Sequence, residues 1–461
     1  MLLRFLQPCH LCRWMRPAVA LVLALVTGLA SAASELPSLG ENSAFNIERE
    51  TRLGVSVYDR LLAVGLVETN PILDRYINDL GHRLLAGLDM RLRDYRFFIM
   101  RDDSVNAFAL PGGFIGVNRG LIAYAQTQHQ LASVMAHEIA HVRLMHGIDQ
   151  MKKGGEVNTA TILAMLAGLL LGTVDSEVGS AVLFGGVAAG QQAMVNFTRE
   201  NEYEADRLGV ELMYDANFDT NGMAEFFTIL TSLSGSSELG NIEYMRTHPI
   251  GSNRIAEAKA RAKNKPGSGD QVDHYTLFKD YLVYVSSTQM PNRGSQYLRA
   301  LAAIKTRAYQ QADAMLQILY RDNNENVWYG VAYAENLENL HRDEEAEEVY
   351  RRLLDIFPDD YVLSMGLLRL LKRNGRSQAA LDIARRLEIE YPREQEVYFV
   401  LSEIYQSLRK PALQLMAEAE FHRLNGNTRQ SIRLYDQVLA SSDADPTIIS
   451  RAREKRLQLL E

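Results

Sequence analysis

Cysteine is nearly absent from this chain of 461 residues: there are two, Cys9 and Cys12, both close to the N-terminus. Beyond residue 12 there can be no disulfide framework and no thiolate metal or redox centre. A surplus of positive charge is also missing. Against 57 Asp and Glu stand 49 Lys and Arg, a formal net charge of −8. Nothing in that balance supplies a phosphate-neutralising surface, so no nucleic-acid partner is expected. Long apolar runs are lacking as well. The segments 18–29, 162–171 and 181–189 all fall short of the roughly 18–20 residues that cross a bilayer, which excludes a polytopic membrane protein. What remains is ordinary globular composition, 47% hydrophobic and 23% charged, in a chain too long for one core.

The N-terminus reads as a secretory signal. Arg4, Arg13 and Arg16 form a basic start, 18–29 an apolar centre, and Ala30-Ser31-Ala32 a small-residue cleavage site. Cleavage before Ala33 is expected, so residues 1–32 lie outside the fold. Both cysteines and three arginines leave with them, and the mature chain is more acidic still.

Residues 45–88 carry apolar positions at helical spacing through Leu61, Leu62, Val64 and Leu66, then Ile72, Leu73, Tyr76, Ile77 and Leu80, which predicts two amphipathic helices. Strands at 95–100 and 114–117 should form a hairpin, with Pro111-Gly112-Gly113 as the turn. Thr127 followed three positions later by Gln130 has the form of a capping box. It opens a helix carrying Leu131, Val134, Met135, Ile139, Val142 and Met145 as far as Gly147. The apolar stretches 162–171 and 181–189 read as a helical hairpin, or as a surface for membrane or an unfolded client.

The polar, Gly-containing run 263–271 looks like a linker. After it Ala300, Ala334 and Leu368 are spaced by 34, as are Ala312, Ala346 and Ala380, and again Pro358 and Pro392. That is the tetratricopeptide period. Leu316, Tyr350 and Ala384 share one position in this frame. After Pro392 the register slips, with Ala419, Ser431 and Tyr435 fitting a repeat that begins near Ala412. About four helix pairs are expected, with an irregular helix between the third and fourth. The domains expected are 1–32 signal, 33–265 peptidase and 266–461 repeats.

The sharpest signal is His137-Glu138-Ile139-Ala140-His141. Residues four apart share a helix face, so both imidazoles can reach one zinc ion, with Glu138 beside them as the general base. Catalytic zinc needs a third protein ligand and an open position. His146 is too close for the metzincin spacing and, at about 100° per residue, points roughly 140° away from His141, so it reads as a helix-end residue. The alternative is a glutamate on a later helix. In Glu202-Tyr203-Glu204-Ala205-Asp206, Glu202 can ligate zinc while Asp206, four on, accepts the free N–H of a ligand histidine. Glu200 or Glu204 would compensate the helix dipole. His248 and Arg254 stay open between two roles: a local helix start after Pro249 with a surface ion pair, or a pair facing the metal.

These motifs together resemble the gluzincin peptidases that include HtpX and the CAAX prenyl endopeptidases: His-Glu-Ile-Ala-His, Glu-Tyr-Glu-Ala-Asp, and Thr247-His248-Pro249 with Arg254. The run from Asn106 through Phe108 to Pro111, Gly112 and Gly113 resembles that family's edge strand beside zinc, where an extended substrate could add. The fold implied is mostly α, a gluzincin domain with a small sheet followed by an α-solenoid. The resemblance implies one Zn2+ and a latent protease, with His248 occupying the open position or, like Arg254, stabilising an oxyanion. With an export signal and repeats, the chain is most similar to periplasmic members acting on unfolded or misassembled outer-membrane proteins. The expected partners are those clients, the outer-membrane assembly machinery through the repeats, and a peripheral membrane contact. A second reading is a non-proteolytic chaperone or scaffold that uses the repeat groove.

Overall fold

The structure is a computed structural model that describes residues 47–86, 88, 94–147, 198–234, 242–267, 274–288, 290 and 294–460. The signal segment and both apolar stretches at 162–171 and 181–189 lie outside the described residues. No described helix is long and apolar enough to cross a membrane.

Two helices open the described chain, α1 (Ile47–Ala63) and α2 (Pro71–Leu85). Helix α2 has Pro at its first position and is capped by Asn70, whose Oδ1 accepts from the Ile72 and Leu73 amides at 3.1 and 3.4 Å. Helix α1 buries Val57 and Leu61 against Val67, Phe98, Met100 and Leu110. Three strands follow, β1 (Arg96–Met100), β2 (Ala107–Leu110) and β3 (Phe114–Asn118), in sheet order β1-β3-β2.

The expected hairpin is corrected by this topology. Strands β1 and β3 run parallel, Arg96 opposite Phe114, and the antiparallel partner of β3 is β2, with Ala107 opposite Val117. The Pro111-Gly112-Gly113 turn therefore joins β2 to β3. Gly112 sits at φ 79°, and a Cβ there would come within 2.7 Å of the Thr51 Cα. Its amide donates to the buried Glu50 carboxylate at 3.1 Å, so α1 fixes the turn. Both sheet margins are accounted for differently. Along β1 the Asn78 amide stands in for a strand, donating to Phe97 O at 2.8 Å and accepting from Phe97 N at 3.1 Å. Strand β2, among the described residues, pairs with β3 alone.

After α3 (Arg119–Tyr124) comes α4 (Gln128–Arg143), capped by Thr127, whose Oγ1 accepts from Gln130 N at 3.3 Å. The return bond of the box reaches one residue further than expected, from Gln126 N to Gln130 Oε1 at 2.8 Å. Leu131, Met135 and Ile139 are fully buried, so α4 is a central helix. It packs against α5 (Arg199–Asp215) and α6 (Asn221–Ser234). Gly209 permits the close approach of α5: a Cβ there would lie 3.0 Å from the Met223 methyl and 3.4 Å from His137 N. Short α7 (Glu243–Thr247) and α8 (Ser252–Asn264) complete this part.

The remaining chain is helical: α9 (Tyr275–Ser286), then pairs α10 (Gln296–Lys305) and α11 (Tyr309–Asp322), α12 (Val327–Asn339) and α13 (Asp343–Ile356), and α14 (Tyr361–Arg373) and α15 (Ser377–Glu390), followed by α16 (Gln395–Ser407), α17 (Pro411–Leu424), α18 (Thr428–Leu439) and α19 (Pro446–Gln458). The expected slip after Pro392 is borne out. Second helices open at Tyr309, Asp343 and Ser377, each 34 residues after the last, and then at Thr428, one and a half periods on. The turns inside the first three pairs keep the 34-residue step, with positive φ at Arg307, His341 and Gly375, and the left-handed turn at Gly426 follows the one at Arg409 by only 17 residues. Helix α17, with Ala412 in its first turn, thus opens a pair with α18, and α16 is the irregular helix between the third pair and the fourth.

The chain divides into two compact units, Met1–Val67 with Asn78–Gln271, and Glu68–Ile77 with Val272–Glu461. In the second unit Tyr76 stacks on Phe278 with centroids 4.2 Å apart and meets Trp328 edge-on at 6.0 Å. Arg75 pairs with Asp360, whose Oδ1 also accepts from Leu363 N at 2.9 Å to cap α14.

Candidate metal centre

Four side chains converge in the first unit. His137 and His141 stand one turn apart on α4, Glu202 lies in the first turn of α5, and His248 ends α7. All four are buried, and each offers one ligand atom within 4.8 Å of the others. His137 Nε2 is 3.0 Å from His141 Nε2 and 3.3 Å from His248 Nδ1. Glu202 Oε1 is 3.0 Å from His248 Nδ1 and 3.5 Å from His141 Nε2, and its Oε2 is 3.5 Å from His137 Nε2. A tetrahedron of bonds near 2.0–2.1 Å has edges of about 3.3–3.4 Å, so the donor spacing fits zinc. Lone pairs held this close call for a cation among them. Burial pulls the His137 imidazole down, yet its hydrogen bonds to the Asp206 and Glu202 carboxylates push it up to about 9, so that with no metal cation among the donors a proton takes that place. Burial alone would raise the Glu202 carboxyl, but His248 and the bonds from His137 and His141 hold it far below the carboxylate range. Two neutral imidazoles and a carboxylate are the donors a catalytic zinc site uses.

Other groups brace these donors. Asp206 Oδ1 lies 3.0 Å from His137 Nδ1, the nitrogen turned away from the cluster. Arg254 grips Asp206 with two bonds, Nε to Oδ2 at 2.7 Å and Nη2 to Oδ1 at 2.8 Å. Its Nη1 donates to Pro249 O at 2.8 Å and lies 2.7 Å from Glu202 Oε2. The guanidinium is 4% exposed. It therefore pairs with buried carboxylates, not in a surface ion pair.

Glu138 Oε1 is 3.5 Å from His248 Nε2 and accepts no hydrogen bond among the described residues. Burial pushes its carboxyl up, with His248 and His137 opposing. Asn106 immediately precedes β2, Phe108 lies within it, Gly112 and Gly113 form the following turn, and α4 packs on that strand.

His146 departs from expectation. Helix α4 ends at Arg143, not Gly147, and Met145 takes φ 57°. That left-handed residue turns the chain back, so His146 is buried with Nδ1 3.1 Å from His141 Nδ1 and Nε2 3.3 Å from Glu204 Oε2. Glu204, which with Glu200 was one of two candidates to compensate the helix dipole, is the partner of this histidine. Tyr244 was also missed. Its ring stacks on His248 at 4.7 Å, and its amide donates to Val105 O at 3.1 Å. An aromatic residue in a five-residue helix carried no spacing signal.

A small sheet beside a central helix, with two histidines and a glutamate from a second helix, defines a zinc metalloendopeptidase. Residues 71–262 match peptidase family M48. A Vibrio cholerae protein carrying the beta-barrel assembly-enhancing protease name is 30% identical over 428 residues, 88% of each chain. The beta-barrel assembly-enhancing protease of Escherichia coli is 28% identical over 92% of this chain and 90% of its own. The mitochondrial metalloendopeptidase OMA1 of Schizosaccharomyces pombe is 28% identical over 39% of this chain and 50% of its own. This chain belongs to the beta-barrel assembly-enhancing protease branch of peptidase family M48.

Proposed function

We propose that this chain is a periplasmic zinc endopeptidase that cleaves outer-membrane β-barrel proteins whose assembly has failed. The observation that carries the proposal is the buried tetrad of His137, His141, Glu202 and His248 with Glu138 alongside, since a purely structural zinc site has no use for that base. His137, His141 and Glu202 would hold the ion. When bound, zinc polarises the scissile carbonyl and acidifies the attacking water. Glu138 would take the water's proton and return it to the leaving amine. Arg254 and Asp206 would fix Glu202 and His137. A client strand would add along β2 near Asn106 and Phe108, where main-chain bonding tolerates varied sequence. Envelope proteomics of wild type against Glu138→Gln tests the assignment: β-barrel proteins should accumulate in the variant, and identical profiles would overturn it.

His248 is proposed as a fourth ligand that keeps the enzyme latent. Supporting this, its Nδ1 is 3.3 Å from His137 Nε2 and 3.0 Å from Glu202 Oε1. A fourth protein donor excludes the catalytic water. His248→Ala should raise self-cleavage or general proteolysis severalfold, whereas an oxyanion-stabilising histidine would lower it. A rate at or below wild type for the purified variant would reject the latent state.

The helix pairs are read as tetratricopeptide repeats that bind the assembly machinery, and residues 1–32 as a cleaved signal. Residues 33–265 and 266–461 are proposed as the two domains. A fragment from about residue 272 to 461 should then show helical circular dichroism, because stacked pairs bury one another's faces. Losing the Tyr76 stack should cost about 0.5–1.5 kcal/mol. A random-coil spectrum would exclude an independent repeat domain.

A further inference from the structure

His146 lies outside the metal tetrad, yet it is buried against one of its members. The nitrogen of His141 that faces the tetrad is Nε2, 3.0 Å from His137 Nε2. Its other nitrogen, Nδ1, is 3.1 Å from His146 Nδ1, and His146 Nε2 is 3.3 Å from the Glu204 carboxylate. A histidine that gives its Nε2 lone pair to a metal carries its proton on Nδ1. That proton needs an acceptor, which fixes His146 Nδ1 as the lone-pair nitrogen and puts the His146 proton on Nε2. There it meets a carboxylate oxygen. One proton assignment satisfies the whole series, and it runs outward from the metal to the surface, where the Glu204 side chain is 58% exposed.

The backbone is shaped for this contact. Met145 holds φ 57° without being glycine, a conformation that costs L-residues roughly 1–2 kcal/mol, and without that turn His146 would continue away from His141. The two ligand histidines are thus braced unequally. His137 is backed directly by Asp206, itself forked by Arg254, whereas His141 is backed by a second imidazole.

We propose that His146 is a positioning residue for the metal site, accepting the Nδ1–H of His141 and donating its own Nε2–H to Glu204, so that the ring of His141 is held in the orientation and tautomer that zinc requires. The inference rests on His141 being a ligand. It predicts that affinity for zinc depends on an acceptor at the position of His146 Nδ1 and not on the bulk of the ring.

The test measures zinc affinity of the full-length purified chain by chelator competition. His146→Phe, which fills the space without an acceptor, should bind zinc about 10- to 100-fold more weakly, the usual effect of losing a group that orients a ligand. His146→Asn should recover most of that loss, because its Oδ1 falls where Nδ1 stood. Wild-type affinity in His146→Phe would overturn the proposal, and so would equal losses in Phe and Asn, which would mark a packing role. His141→Ala separates the two levels. If it keeps wild-type zinc, the ligand assignment falls and this inference with it; if it loses zinc while His146→Phe does not, only the positioning role falls.

Discussion

Purified Glu138→Gln is expected to retain its fold and its zinc and to lose about a hundredfold to ten-thousandfold in proteolytic rate. The carboxylate lies on α4 between the two histidines and is buried, but it is not among the four converging donors. Its replacement by an isosteric amide changes neither volume nor the metal donors. What disappears is the ability to accept a proton. Burial has raised the proton affinity of this carboxyl, His248 and His137 partly reversing the effect, which suits a group that must take a proton and give it up within one turnover. The amide can hold water in place but cannot deprotonate it. Cleavage of an unfolded test protein, measured beside zinc content per chain, decides the matter: near-wild-type cleavage by a zinc-loaded variant would remove Glu138 from the mechanism.

Much of this site was legible because helices convert spacing into geometry. His137 and His141 at i and i+4, and Glu202 and Asp206 at i and i+4, had to share faces once their helices formed, and the structure brings both pairs to one place. The same rule misled at His146. Periodicity extrapolates a helix through Met145, and no glycine marks the left-handed turn that ends it. The parallel pairing of β1 with β3 was hidden for a different reason. A turn signal says that two strands are joined, not which ones, and the four-residue β2 is too short to show alternation.

The repeats were legible in a similar way. Small residues at fixed positions revealed the 34-residue step, and Ala419 and Ser431, in α17 and α18, marked its half-period shift. The conformational marker agrees, with positive φ at Arg307, His341, Gly375 and Arg409 in step and at Gly426 only 17 positions after Arg409. Glu68–Ile77 was invisible for want of any local cue. Tyr76 finds Phe278, 202 positions further along the chain, and nothing in the sequence near either residue announces it.

Replacing Glu202 with Gln should weaken zinc binding beyond the roughly 10- to 100-fold typical of groups that merely orient ligands, whereas Glu204→Gln should leave it close to wild type. Glu202 is a carboxylate held in that form although burial opposes it, because His248, His137, His141 and Arg254 all favour the charge. A neutral amide supplies no such charge to a dication. Its N–H donors would also face imidazole nitrogens or the Arg254 guanidinium. Arg254 would keep its two bonds to Asp206 but lose the contact with Glu202 Oε2. Stability without metal should therefore fall by about 1.5–3 kcal/mol, the worth of one hydrogen bond to a charged group, and not by the larger cost of an isolated buried charge. Glu204 differs on every count. Its side chain is 58% exposed, it is not among the converging donors, and glutamine retains an oxygen that can accept from His146 Nε2. Metal content after exhaustive dialysis distinguishes the two variants. Equal zinc loss in both would mean that α5 presents a different face to the metal, and that the spacing of Glu202 from His137 and His141 has been read in the wrong register.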